Sequence, residues 1–171
     1  MRETNYFSYF NKTISNTLII TNLLNRAKIK DVGIVSQAKL YYPYFIKDGE
    51  RPETLAEKVY GDTTYFWIIL FANNIRNIYQ DWPRTQEALD EYVIFKYKSL
   101  ADANITVHHY EDDDGRYIMK EDWLLYWAGD VSKEISCYVY EDRLNESKRL
   151  INLIRPEYKS QLVSEFQTIF K

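Results

Sequence analysis

Two histidines stand side by side, His108-His109, and the chain contains no other. They fall in a run from Ile105 to Tyr110 that reads as a β-strand, where successive side chains point to opposite faces. Placed so, they cannot easily share a metal ion, and a structural role is favoured over a metal centre. The acidic run Asp112-Asp113-Asp114-Gly115 lacks the spaced Asp-x-Asp-x-Asp-Gly order and the distant Glu of a calcium loop. It reads instead as a solvated hairpin turn. The single cysteine, Cys137, excludes an internal disulfide and a Cys-based zinc site. Its surroundings, Ser-Cys-Tyr-Val-Tyr, read as a buried strand, with the thiol as a small core group rather than a nucleophile. The five glycines form no phosphate-cradling loop, and no Ser or Cys sits in a nucleophile elbow. With 25 acidic residues, chance carboxylate pairs are guaranteed, and none supports a glycosidase. We therefore assign no catalytic residue and expect neither metal nor cofactor; the chain reads as a non-enzyme.

The elements that would carry these residues follow from pattern and punctuation. Residues 1–14 alternate aromatic and polar side chains and read as an extended arm, which would dock on its own core or on a partner. Residues 15–30 place Leu18, Ile19, Leu23 and Leu24 near helical spacing, as a short helix or a strand followed by a helix. Tyr41 to Ile46 is a short aromatic strand ended by the turn Asp48-Gly49. Pro52 suits the first turn of a helix and Glu53 its positive end. That helix runs to Tyr60 with Leu55, Ala56, Val59 and Tyr60 inward, and Gly61 fits a left-handed C-terminal cap. Asp62 or Thr63 caps a second helix to about Ala72, apolar almost all round and so buried on most sides. Asn73-Asn74 stops it, and Ile75 to Tyr79 is expected to return as a strand. Asp81-Trp82-Pro83 reads as a loop, and Thr85 to about Tyr97 as an amphipathic helix with Ala88, Leu89, Tyr92, Val93 and Tyr97 on one face. A hairpin spans Ile105 to Met119. Tyr138 to Lys148 reads as helical, Ile151 to Ile154 as a short strand, and Pro156 to about Phe170 as a last helix.

The 171 residues suit one compact domain with elaborations. No apolar run reaches the roughly 18 residues of a membrane helix, and the first residues lack the pattern of a signal peptide, so a cytoplasmic setting is expected. The net charge of −3 disfavours a general nucleic-acid binder. That charge is uneven: residues 1–50 carry +3 and residues 101–171 carry −5. Such an asymmetry can orient neighbouring subunits. Aromatic residues make up 16% of the chain, with 16 Tyr against 8 Phe. Tyrosine suits surfaces that are apolar on one side and hydrogen-bonded on the other, as protein interfaces and sugar-binding faces are.

One stretch has a specific order of signals: aromatic strand, Asp-Gly turn, DGERPETLAEKVYGD, then YFWIILFANN. It resembles the LysM module, a small β-α-α-β unit. In the wider sequence it is similar to the small baseplate wedge subunits of contractile-tailed, T-even-type bacteriophages. The likeness extends to the arm YFSYF, the loop IYQDWPRTQEALDEYVIFKYKS, the hairpin VHHYEDDDGRYI and the tail NESKRLINLIRPEYKSQLVSEF. It implies an α+β fold in which residues 1–40 form an N-terminal arm and short helix and residues 41–80 the LysM-like core. Residues 81–171 would form a helix, a hairpin and a C-terminal helical extension packed on that core. It also implies a structural subunit of the virion tail baseplate, assembled in the host cytoplasm. Its partners would be other wedge proteins and sheath-initiating tail proteins, in an assembly of sixfold symmetry, with neither nucleic acid nor membrane. Reorientation during sheath contraction comes from the resemblance alone.

A second reading competes, a LysM-type glycan-binding module for peptidoglycan. It would use the turn Lys47 to Glu53 and the loop Asn73 to Tyr79, with backbone amides reading acetamido groups. Tandem repeats and an adjoining catalytic domain, usual for such modules, are absent, so assembly is favoured, with fold likeness counted as analogy. The candidate interface residues are Tyr6, Phe7, Tyr9 and Phe10 of the arm, Arg51 and Trp82. Arg51 either meets a partner carboxylate or pairs with Glu50 or Glu53. Trp82 is either an exposed loop anchor or a lid over the adjacent helix. Gly49, Pro52, Tyr60, Gly61, Asp62, Trp67 and Asn73 are read as core and caps of the LysM-like unit.

Overall fold

The computed structural model describes residues 12–15, 18–21, 40–126, 130 and 134–169. Strands β1 (Lys12–Ser15) and β2 (Leu18–Thr21) are followed by β3 (Tyr41–Phe45), α1 (Pro52–Tyr60), α2 (Phe66–Ala72) and α3 (Ile78–Asp81). Then come α4 (Gln86–Tyr97), α5 (Leu100–Ile105), β4 (Val107–Glu111), β5 (Tyr117–Ile118) and α6 (Lys120–Tyr126). The chain closes with β6 (Glu134–Ser136), α7 (Cys137–Ser147), β7 (Leu150–Ile154) and α8 (Lys159–Ile169). The fold thus mixes helices with small antiparallel sheets, as an α+β chain does. It divides into two compact units, residues 1–81 with 150–171, and residues 82–149 inserted between them in sequence.

In the first unit, β1 and β2 pair antiparallel, with Lys12 opposite Thr21. The strand option for Leu18 to Thr21 is therefore the one formed; the remainder of the 15–30 reading, and nearly all of the arm, lies outside the described residues. Strand β3 pairs antiparallel with β7, from Tyr41 opposite Ile154 to Phe45 opposite Leu150. This corrects the strand expected at Ile75–Tyr79. Asn74 takes a left-handed φ of 53°, Arg76 N–H and Asn77 N–H both donate to the Asp81 carboxylate, and Ile78–Asp81 turns into a helix. Backbone groups capped by a nearby side chain are withdrawn from a strand ladder. The returning strand comes instead from 150–154, whose alternating Ile151 and Leu153 are buried.

Pro52 opens α1, and Thr54 Oγ1 accepts from Arg51 N–H at 3.2 Å. Gly61 ends it at φ 78°, its N–H donating to Glu57 O. Glycine takes this conformation without the Cβ clash other residues meet. Asp62 caps the short turn that leads to α2 by accepting from Thr64 N–H at 2.8 Å, and that bond holds its carboxyl below the usual range. In α2 the successive residues Trp67, Ile68 and Ile69 are all buried, as a helix apolar all round requires. Phe166 of α8 closes over it, 4.6 Å from the Trp67 ring and 4.7 Å from the Phe71 ring.

The second unit packs α4, α5 and α7 around Leu89, Val93, Ala103 and Cys137. Each helix has its own cap: Thr85 Oγ1 accepts from Ala88 N–H, Ser99 Oγ from Asp102 N–H and Ser136 Oγ from Val139 N–H. Cys137 is buried as expected but opens a helix rather than lying in a strand. The residue before it, Ser136, is a capping residue, and the Ser-Cys boundary is where extended chain turns helical. The hairpin forms, with Tyr110 opposite Ile118 and Gly115 at φ 75° in the acidic turn. A third strand, β6, flanks β4 on its other edge. Ile105, expected in the hairpin, instead ends α5.

Candidate protein interface

Among the described residues, no group of three or more His, Cys, Asp or Glu side chains is placed to hold a metal ion, and no helix is long and apolar enough to cross a membrane. Three polar devices hold the described elements together.

The first device closes the β-α-α-β unit. Asn73 caps α2 by donating from Nδ2 to Ile69 O at 2.9 Å. The same amide group donates to Asn152 O at 2.8 Å, and Oδ1 accepts from Asn152 N–H at 2.8 Å. Asn152 lies opposite Pro43, which has no N–H, so Asn152 turns its own backbone groups away from β3 and toward Asn73. The side-chain amide thus copies a strand backbone. Nearby, the buried Tyr60 hydroxyl donates to Ile154 O at 2.9 Å, and burial raises its pKa. Lys159 Nζ donates to Tyr60 O at 3.0 Å.

The second device is the Tyr44–Glu50–Lys58 cluster. Tyr44 O–H lies 2.9 Å from both Glu50 carboxylate oxygens, and Lys58 Nζ donates to the Tyr44 oxygen at 3.0 Å. Lys58 is held protonated above its usual range, first through that tyrosine bond. The third device is in the second unit. Buried Asn145 takes Arg84 N–H on Oδ1 at 2.7 Å and donates from Nδ2 to Arg84 O at 3.0 Å. Buried Glu141 accepts from Lys96 and from the Tyr97 hydroxyl, and the Glu141 bond raises the Lys96 pKa.

The sequence-derived site residues fall into three groups. Tyr6, Phe7, Tyr9 and Phe10 lie outside the described residues. Gly49 (φ 72°), Pro52, Tyr60, Gly61, Asp62, Trp67 and Asn73 sit at turns, caps and core positions of the first unit. Arg51 is exposed and forms no ion pair among the described residues, because Glu50 turns to Tyr44 and Lys58. Trp82 is buried, with only 6% of it exposed, which fits the covered alternative of its two readings.

The exposed apolar side chains lie elsewhere. Phe45 and Leu150 are direct cross-strand partners, 58% and 66% exposed. On the last turn of α4, Phe95 is 89% exposed. On α6, Trp123 is buried, stacks on Tyr110 with centroids 4.4 Å apart, and donates from Nε1 to Asp130 O. With that ring anchored inward, the following Leu124, Leu125 and Tyr126 stand exposed. Sequence reasoning missed all of these. The available signal was helical spacing: Phe95 falls outside the stripe made by Leu89 and Val93.

The family described as base plate wedge protein 53 matches residues 2–122 of this chain. "Baseplate wedge protein gp53" of Enterobacteria phage T4 is 27% identical over 121 residues, covering 71% of this chain and 54% of that protein. The chain spans about half the length, 54%, of the curated relative it matches. The matched stretch includes β3, α1 and α2 but ends within α6, before β7.

Proposed function

The chain belongs to the base plate wedge protein 53 family, and on that premise we propose that it is a structural part that joins neighbouring wedge proteins during tail assembly. As a baseplate wedge protein it is a component of the virion tail. The observation that carries the joining role is the set of exposed large apolar side chains on strands and helices: Phe45 with Leu150, Phe95, and Leu124 to Tyr126. Apolar surface of this kind marks protein contacts. The partners we propose are other wedge proteins and sheath-initiating tail proteins, with one copy in each wedge of a sixfold assembly. The role is non-enzymatic.

Within this reading, β3-α1-α2 is proposed as a LysM-like core whose return strand is β7. The order strand, helix, helix, antiparallel strand supports it, as does the capping signature that runs from Pro52 through Gly61 to Asn73. Residues 1–40 are proposed as a docking arm and residues 81–149 as an inserted extension.

The same topology keeps peptidoglycan binding in view as a second reading, but many of the amides of those two loops are engaged internally. In the first loop, Lys47 N–H donates to Glu50, Glu50 N–H to Lys47 O and Arg51 N–H to Thr54. In the second, Asn73, Asn74 and Ile75 donate to α2 carbonyls, Arg76 and Asn77 to Asp81, and Tyr79 to Asn77. Amides already used in this way are not free to read acetamido groups. The test is recovery of a tagged chain from phage-infected cells. Stoichiometric tail proteins are the expected company. A chain recovered alone that sediments with purified peptidoglycan sacculi would overturn the assembly reading.

A further inference from the structure

We propose that His108 and His109 form a latch between β4 and α7 that accommodates one added proton and opens on the second. The register shift between Val107 and His109 breaks the strand alternation. The two imidazoles therefore do not diverge; their Nδ1 atoms lie 3.0 Å apart, which corrects the opposite-face expectation. A nitrogen–nitrogen contact of that length needs a proton on one atom and a lone pair on the other. His109 Nε2 lies 3.1 Å from Glu111 Oε1. A carboxylate only accepts, so His109 carries its hydrogen on Nε2.

The neutral pair and the singly protonated pair both satisfy this geometry. With both rings neutral, one Nδ1–H lies between them. With one proton added to either ring, a single Nδ1–H still lies between the two rings. With both rings charged, two Nδ1–H groups face each other and the contact parts.

The rings sit where parting has consequences. His108 stacks on Tyr140 of α7, centroids 3.7 Å apart and planes 10° apart. His109 meets the same Tyr140 edge-on and stacks on Tyr117 of β5. Glu111 is bridged to Arg143 of α7 by two contacts of 2.8 Å. The charges around the pair are Glu111 on its own strand, Arg143 and Glu141 on α7, and Lys96 on α4, with Tyr117 and Tyr140 the facing phenols. Glu111 is matched by Arg143 and Glu141 by Lys96, so both facing carboxylates already carry a cation. Burial first, and then the His109 charge, lowers the pKa of His108.

The sign follows. The unfolded chain takes a proton on this histidine near 6.5, whereas the folded chain resists it. The latch's contribution is complete above 6.5 and is lost as pH falls below that value toward the lowered one. Glu111, lowered first through its Arg143 bond, contributes fully above 4.5 and loses that contribution as pH falls below 4.5 toward its lowered value.

The test uses the full chain labelled with nitrogen-15. Ring-nitrogen spectra are followed from pH 8 to 5, beside thermal unfolding over the same range. The expected result is a His108 midpoint below 6.5, with a simultaneous loss of the Tyr140 ring-current shift. In His109→Phe the His108 midpoint rises. In His108→Phe, which keeps a ring on Tyr140, the fall in Tm between pH 7 and 5.5 is smaller than in the native chain. A His108 midpoint at or above 6.5 in the native chain would overturn the proposal, even if neither variant folds. So would ring-nitrogen shifts that change on adding EDTA, which would make the pair a metal chelate.

Discussion

Replacing Asn73 tests how the first unit is closed. In Asn73→Ala three hydrogen bonds disappear together: to Ile69 O, to Asn152 O and from Asn152 N–H. Each is worth about 1 kcal/mol net, but the Asn152 groups lie near solvent and regain water. The expected loss is therefore about 1–2 kcal/mol, a fall in Tm of roughly 2–8 °C for a chain of this size. Asn73→Asp separates the two halves of the device. It keeps an acceptor for Asn152 N–H but turns a carboxylate oxygen toward two carbonyl oxygens, so it should be less stable than Asn73→Ala. Because the chain has two compact units, a global melt can blur the effect. Amide exchange resolves it: the Asn152 amide is protected in the native chain and exchanges at least tenfold faster in Asn73→Ala. Unchanged Asn152 protection in Asn73→Ala, or an Asn73→Asp protein as stable as the native one, would refute the strand-mimic reasoning.

The remaining predictions concern the core, a cap and acid stability. Phe166→Ala removes a ring that contacts both Trp67 and Phe71 and should cost about 3–5 kcal/mol in urea unfolding. Gly61→Ala meets no atom within 4 Å but must hold φ 78°, so its cost should be strain alone, about 1 kcal/mol. Glu111→Gln removes a carboxyl whose folded pKa is lowered below 4.5, first by the Arg143 bond. That contribution is present above 4.5 and is lost as pH falls through the lowered value. The variant's stability should therefore decline less than the native chain's between pH 5 and 3, as acid-titrated circular dichroism would report.

Much of the fold was legible where local signals and burial agree. Pro52, Gly61 and Asp62 punctuate α1 and the turn after it as their chemistry requires, and the all-apolar run from Phe66 had to be buried. The return strand was read at the wrong place because adjacency in sequence is the usual guide to strand pairing. Here residues 82–149 intervene, and only the apolar alternation of Leu150–Ile154 hinted at β7. The histidine pair was misread because strand alternation fails at a register shift, and sequence does not announce one. The Asp-Trp-Pro setting of Trp82 left an exposed anchor and a lid both open, since loop position does not decide burial. The exposed set on α6 was hidden because Leu124, Leu125 and Tyr126 look like core until Trp123 is known to take the inward position.

The central claim is that this chain joins neighbouring wedge proteins. Cross-linking mass spectrometry on purified intact tails tests it most directly. The account predicts cross-links from this chain to more than one kind of wedge protein, including lysines near the exposed faces, such as Lys96 and Lys98 beside Phe95 and Lys120 at the start of α6. Intact tails that contain the chain but give cross-links to no other wedge protein would contradict it.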